Sequence, residues 1–433
     1  MLVMRPAIEI HRDVLPNGLI VVTVPVPHLH TASIVMYARV GSRYETAQTN
    51  GLSHFLEHML FRGSKSYPNS LALNYAIEEI GGTLYAETGR DYSLYQISLH
   101  PENLARGVEI FGDIFDAPAL TDIDLERKII LEEILEDIDE DGRCINVDDV
   151  ARKAVWPDHG LGMSITGPYA NVERFTVEDV RKHYAEFYGA SNMVLCVSGA
   201  AQREQVMEWA TRSMSGLRAG ERRKPVPPVE AQSGAQLVYV ENEGSQTSVQ
   251  VLFRALPETD EDYVAMQALS RVLDDGMSTR LHYRVCDQMG LAYYVSGSVE
   301  PFHDTALFEI DAASAHKNVP ALLREVFRII GQLRDEPPDP RELTKAKRRY
   351  RWDLEATFDD PDALAGWFGG TELFYRPDGY EAKVARMEAV TADDVQRVAR
   401  RLFVPSRLTV ATVGYLQNGL ENKVRDLVEG FKP

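Results

Sequence analysis

Apolar residues recur at helical spacing between Leu52 and Leu60. Leu52, Phe55, Leu56, Met59 and Leu60 make one stripe, and His54, Glu57 and His58 fall off it. Gly51-Leu52-Ser53 offers a turn and an N-cap ahead of this helix, and Gly63 offers a stop behind it. A second helical pattern covers 126–133, and its buried side is expected to carry Leu131, Ile134, Leu135 and Ile138. Strand-like apolar runs are predicted over 18–26, entered by the Asn17-Gly18 turn, and over 32–40, 236–241 and 247–255. The β-rich stretch 81–88, continuing at 93–99, reads as further strand, and 263–273 and 319–333 read as helices.

The same order of elements occurs twice. Thr176-Val177-Glu178-Asp179-Val180 leads through a helix to Ser191-Asn192-Met193-Val194-Leu195-Cys196-Val197-Ser198-Gly199. After 215 residues, Thr391-Ala392-Asp393-Asp394-Val395 leads to Ser406-Arg407-Leu408-Thr409-Val410-Ala411-Thr412-Val413-Gly414. Each copy is a capped helix feeding an apolar strand. Between them the sequence turns polar and proline-rich at Arg218-Ala219-Gly220-Glu221-Arg222-Arg223-Lys224-Pro225-Val226-Pro227-Pro228, which reads as an extended linker. The expected fold class is α+β: two homologous αβ sandwich domains, each a mainly antiparallel sheet packed with helices, related by internal duplication. The expected boundaries are 1–217 for the first domain, 218–232 for the linker and 233–433 for the second.

Composition narrows the function classes. A chain of 433 residues with 44% hydrophobic content is long enough for two cores. Its formal charge of −19 argues against nucleic acid as a partner, because phosphate binding wants basic patches. Seven acids crowd into 132–141; a solvated surface explains them, and a cavity that attracts basic peptides is the alternative. There is no run of eighteen apolar residues, so no membrane span is expected. Met1-Leu2-Val3-Met4-Arg5-Pro6 lacks the basic and apolar segments of a secretory signal. Three scattered cysteines, Cys144, Cys196 and Cys286, suit a reducing cytoplasm better than a disulfide framework.

The chemistry concentrates in His54-Phe55-Leu56-Glu57-His58. On a helix, two imidazoles four residues apart share a face and can hold one metal ion, and a neighbouring carboxylate that is not a ligand can act as a base. The order His-x-x-Glu-His is the inverted zinc-peptidase signature. A catalytic zinc needs a third protein ligand and an open position. Glu126 and Glu133, seven apart on the second helix, lie on nearly one face and are the candidates. The plain alternatives are polar residues on a half-buried helix and an ordinary acidic helix. His28, His30, His100, His159, His183, His282, His303 and His316 are expected at the surface or at caps.

The segment from Asn50-Gly51-Leu52-Ser53-His54 to Phe61-Arg62-Gly63, then Gly81-Gly82 with its strand, then 126–133, resembles the pitrilysin/insulinase family of zinc peptidases. The likeness covers nearly the whole chain and is to the short bacterial and mitochondrial-processing-peptidase-like members. It implies one Zn2+ per chain held by His54, His58 and Glu133, with Glu57 as general base and Glu126 behind the ligands, orienting them. The β-rich stretch at 81–88, if it is an edge strand, would bind extended peptide by strand addition, and a plain internal strand is the alternative; relatives show Asn-Ala where this chain has Tyr85-Ala86, which leaves backbone pairing but not side-chain contact expected there. The likeness also implies a tyrosine, Tyr293, paired with an arginine seven residues earlier to contact substrate and the oxyanion. Cys286 stands at that earlier position and cannot replace a guanidinium fork.

The expected function is therefore a zinc-dependent endopeptidase subunit acting on extended or unfolded peptides. It would be the metal-bearing chain of a heterodimer whose homologous partner supplies the arginine/tyrosine pair, with a homodimer as the alternative. A non-catalytic core subunit of the same fold and a dedicated precursor-processing protease are the competing readings.

Overall fold

The computed structural model describes residues 8–432, so the expectation for Met1–Pro6 lies outside the described residues. Those residues form two separate sheets. The first comprises β1 (His11–Val14), β2 (Ile20–Pro25), β3 (Ala32–Ala38), β4 (Thr83–Thr88), β5 (Ser93–Leu99) and β6 (Met193–Gly199), in the order β1-β2-β6-β3-β5-β4. The second comprises β7 (Gln236–Glu241), β8 (Thr247–Ala255), β9 (Val295–Pro301), β10 (Ala306–Ser314) and β11 (Leu408–Gly414), in the order β7-β11-β8-β10-β9. Each sheet is antiparallel except for one pair, β2 with β6 and β7 with β11. The α+β fold of two duplicated sandwich units is thus present.

The repeat seen in sequence is a repeat of local physics. Thr176 and Thr391 cap the helices Val177–Phe187 and Ala392–Leu402. In each capping box the threonine hydroxyl accepts from the N–H three residues on, and Asp179 or Asp394 accepts from the threonine N–H. Each helix feeds a central strand, β6 or β11, whose seven residues are all buried. Both strands end on a glycine with positive φ, Gly199 at 119° and Gly414 at 157°. A Cβ there would lie 2.8 Å from Thr31 O or 2.4 Å from Thr247 Oγ1, so only glycine lets the neighbouring strand pass.

The compact units exchange two segments across the linker. Unit 1 contains the residues up to Glu136, Met163–Val226 and Leu354–Pro377; unit 2 contains Asp137–Gly162, Pro227–Asp353 and the residues from Asp378. In unit 1, Leu364, Ala365, Phe368 and Leu373 pack on Val22, Val24, Val35, Tyr37 and Cys196 of the sheet. In unit 2, Val150, Ala151, Val155 and Trp156 pack on Leu252, Leu307, Ala411 and Val413. Each central strand is therefore covered on both faces, which accounts for apolar runs without polar alternation. The expected linker has no regular structure, and its two ends are tied to different units. Arg39 and Arg43 donate to the carbonyls of Arg223 and Val226 in unit 1, and Gln232 donates to the Leu408 carbonyl in unit 2.

Two helices carry the candidate site, α1 (Leu52–Leu60) and a second at Ile123–Ile134. Leu52, Phe55, Leu56, Met59 and Leu60 are all buried. At about 1.5–3 kcal/mol for each buried side chain, this stripe outweighs any cap and fixes how α1 is rotated. On the Ile123–Ile134 helix the buried side is Glu126, Ile130 and Ile134, so of the expected stripe only Ile134 is fully buried. Leu135 is 50% exposed, because the helix ends at Ile134; Ile138 belongs to unit 2, where it bridges to Cys144.

Candidate metal centre

Helix α1 begins at Gly51, whose φ is 102°. Its first turn is capped by the carboxylate of Glu45, one oxygen accepting from Gly51 N at 2.9 Å and the other from Ser53 N at 2.7 Å. An acid at the positive end of a helix is favourable, and burial pushes this carboxyl up while Asn50 and the Ser53 contacts hold it down. Ser53, expected as the N-cap, lies inside the helix, with its hydroxyl 3.1 Å from Nε2 of His183. His183, expected at the surface or a cap, is buried in unit 1, and burial lowers it to about 3.

His54 and His58 sit one helical turn apart, with ring centroids separated by 4.7 Å. Glu133 reaches both from the other helix: Oε1 is 3.5 Å from His54 Nε2, and Oε2 is 3.8 Å from His58 Nε2. One donor atom from each of the three residues lies within 4.8 Å of the others, and among the described residues no other group of three or more His, Cys, Asp or Glu converges this way. His58 Nδ1 is 3.1 Å from Oε2 of the buried Glu126, whose Oε1 meets Arg62 at 3.0 Å. Glu57 accepts a hydrogen bond from the hydroxyl of Thr88 on β4. Glu57, His58 and Glu126 line a cleft of about 210 Å³ with Phe61, Arg62, Ser70 and Asn74.

The electrostatics suit a cation. Burial lowers His54 to about 3, with His58 adding to the effect, so its imidazole is neutral and carries a lone pair. His58 moves the other way: burial opposes its charge, but the Glu126 hydrogen bond and the carboxylates of Glu57, Glu126 and Glu133 outweigh it. Burial raises Glu57, the Thr88 bond opposes that rise, and Glu133 adds to it. His54 Nδ1 is buried without a hydrogen-bond partner among the described residues, an arrangement that packing alone does not reward. Two imidazoles and a carboxylate are the donor set of a zinc site with an open position, so these residues fit zinc.

The other expected site residues are not among the three that converge. Tyr85 and Ala86 lie on β4, an edge of the first sheet; Tyr85 is 51% exposed and donates to Glu87 at 3.1 Å. Tyr293 belongs to unit 2 and is 92% exposed. Cys286 lies in a π-helical turn, and burial and Asp287 raise its thiol, which stays neutral. The nearby arginines are engaged within unit 2, Arg280 by both oxygens of Glu342 and Arg284 by Glu325 and Gln288. Glu45, Arg62 and Thr88 have contacts at the site that sequence reading did not assign. Only Glu45 carried a signal, an acid six residues ahead of a helix start.

Two family models match the chain. One, described as insulinase (peptidase family M16), covers residues 20–169, and the other, described as peptidase M16 inactive domain, covers residues 174–350. The chain belongs to this insulinase family and is of its short type. An uncharacterized zinc protease of Streptomyces coelicolor is 28% identical over 430 residues, 97% of this chain and 92% of that protein. The beta subunit of a mitochondrial-processing peptidase from Blastocladiella emersonii is 28% identical over 412 residues, 92% of this chain and 87% of that one. Among solved structures, a protease from Helicobacter pylori superposes with a TM-score of 0.87 at 22% identity, covering 94% of this chain and 99% of that one. Among the described residues no helix is long and apolar enough to cross a membrane.

Proposed function

We propose that this chain is a zinc-dependent endopeptidase subunit that hydrolyses extended peptides. The observation that carries the reading is the convergence of His54, His58 and Glu133 on one point beside the Glu57 carboxylate. His54, His58 and Glu133 would hold the zinc, which when bound supplies positive charge that acidifies water and polarises a carbonyl. Glu126 keeps the hydrogen of His58 on Nδ1 and so leaves Nε2 free as a donor. Glu57 takes a proton from the attacking water and delivers it to the leaving amine nitrogen. The free edge of β4 offers backbone N–H and C=O groups to an extended peptide with little demand on side chains. Relatives named zinc proteases support the metal and the reaction class.

In the same proposal the chain is the metal-bearing member of a heterodimer. A neutral thiol at Cys286 offers no guanidinium to substrate, and Arg280 and Arg284 are held by their own partners. A relative named as a subunit of a processing peptidase supports a two-chain enzyme. The test of the catalytic assignment is Glu57→Gln in the complex purified from the native source. It should keep one zinc per chain and lose turnover; cleavage by that variant at the native rate contradicts the assignment.

A further inference from the structure

We infer that Thr88 is a positioning residue for Glu57, and that a short hydroxyl chain from Ser93 through Thr88 aims the base; this rests on the peptidase reading above. Thr88 ends β4 and pairs with Ser93, which opens β5. Ser93 Oγ donates to Thr88 Oγ1 at 3.4 Å, and Thr88 Oγ1 donates to Glu57 Oε2. A hydroxyl has one hydrogen, so a threonine that accepts from Ser93 has its own proton to give to the carboxylate. Glu57 is thereby held by one oxygen, and its Oε1 has no protein partner among the described residues.

The bond is built on a rigid platform. Thr88 and Ser93 are both buried and flank the turn Gly89-Arg90-Asp91-Tyr92, closed by Gly89 N donating to Tyr92 O at 2.8 Å. Arg90 is buried and donates to the Met163 carbonyl, while its own carbonyl accepts from Arg43 N at 2.8 Å. Gly41, with φ 149°, runs so close beneath that a Cβ would lie 2.4 Å from Gly89 O. The hairpin end therefore cannot shift without disturbing buried backbone. A glutamate side chain has three rotatable bonds, and on α1 alone nothing fixes its head. An acid that must take a proton and return it about 3 Å away gains from being held, since misplacing a reacting group by 1 Å costs on the order of 100-fold.

The test compares Thr88→Val, which keeps the shape and removes the hydroxyl, with Thr88→Ser, which keeps the hydroxyl, in the full complex. Expected for Thr88→Val is unchanged zinc content and thermal midpoint, KM within about twofold and kcat down about 10- to 100-fold. Thr88→Ser should recover most of the loss. In crystals of Thr88→Val, the Glu57 carboxylate should leave its single position. Turnover of Thr88→Val within twofold of the parent, a loss that follows zinc loss, or a Glu57 head that stays in place each overturns the assignment. A parent complex that binds zinc and cleaves nothing removes the peptidase reading instead, and the position of Glu57 in the variant crystals still decides whether Thr88 holds it.

Discussion

His58 Nδ1 and Glu126 Oε2 lie 3.1 Å apart and join the two helices that make the metal centre. A carboxylate only accepts, so the imidazole hydrogen sits on Nδ1 and the other nitrogen is left for the cation. Arg62 holds the second oxygen of Glu126 at 3.0 Å, and the carboxylate cannot turn away. Replacing Glu126 with Ala should weaken zinc affinity by about 10- to 100-fold, measured by competition with a chromophoric chelator. Affinity equal to the parent would mean that His58 needs no support.

Zinc binding should stabilise the fold, because an unfolded chain does not bring His54, His58 and Glu133 together. At free zinc about 100-fold above its Kd the gain is about 2.7 kcal/mol, visible as a raised thermal midpoint. His54→Ala and Glu133→Gln should lose that rise. Glu57→Gln should keep it, since Glu57 is assigned no ligand role. A zinc-dependent rise in Glu133→Gln equal to that of the parent would contradict the ligand set.

The segment 354–377 is expected to be part of the unit 1 core. Gly369 lies against the central strand, where an added Cβ would sit 2.4 Å from Cys196 Cβ and 3.1 Å from Tyr37 Cε2. Gly369→Ala should cost about 1–3 kcal/mol in urea unfolding through overpacking. Gly366→Ala meets nothing nearer than 4.0 Å and should be neutral or stabilising. Equal effects at the two positions would count against this packing.

Acid should weaken the duplicated caps. The hydrogen bonds from Thr391 and then Arg397 hold the Asp394 carboxyl down from 3.8 to about 2. The folded pKa is below the unfolded one, so the contribution is complete above about pH 4 and fades as pH falls through about 2. The Asp394 side chain is 34% exposed, and solvent screening keeps the contribution small. Asp394→Asn should remove the part of the stability loss that falls in this window, measured by urea unfolding at several pH values; the same acid dependence in both proteins would contradict it.

What the sequence disclosed and what it hid follow from the range of the interactions. The repeat was legible because capping boxes at Thr176 and Thr391 and the apolar strands after them are local, with signals within a few residues. The stripe on α1 was legible for the same reason, and it leaves both histidines on one side. The exchange of 137–162 and 354–377 was hidden, since apolar residues such as Trp156 and Phe368 show that they will be buried and not against which sheet. The burial of Glu126 and Glu45 ran against the usual habit of acids, and only their partners, His58 with Arg62 and the start of α1, explain it. Thr88 reads as an ordinary strand residue until the fold places Glu57 beside it.

The most direct measurement is anomalous diffraction at the zinc edge from crystals of the chain with zinc supplied. One peak per chain is predicted, about 2.0–2.1 Å from a nitrogen of His54 and of His58 and about 2.0–2.2 Å from an oxygen of Glu133, with Glu57 outside bonding distance. A peak elsewhere, or Glu133 turned away while zinc rests on the two imidazoles alone, would contradict the account.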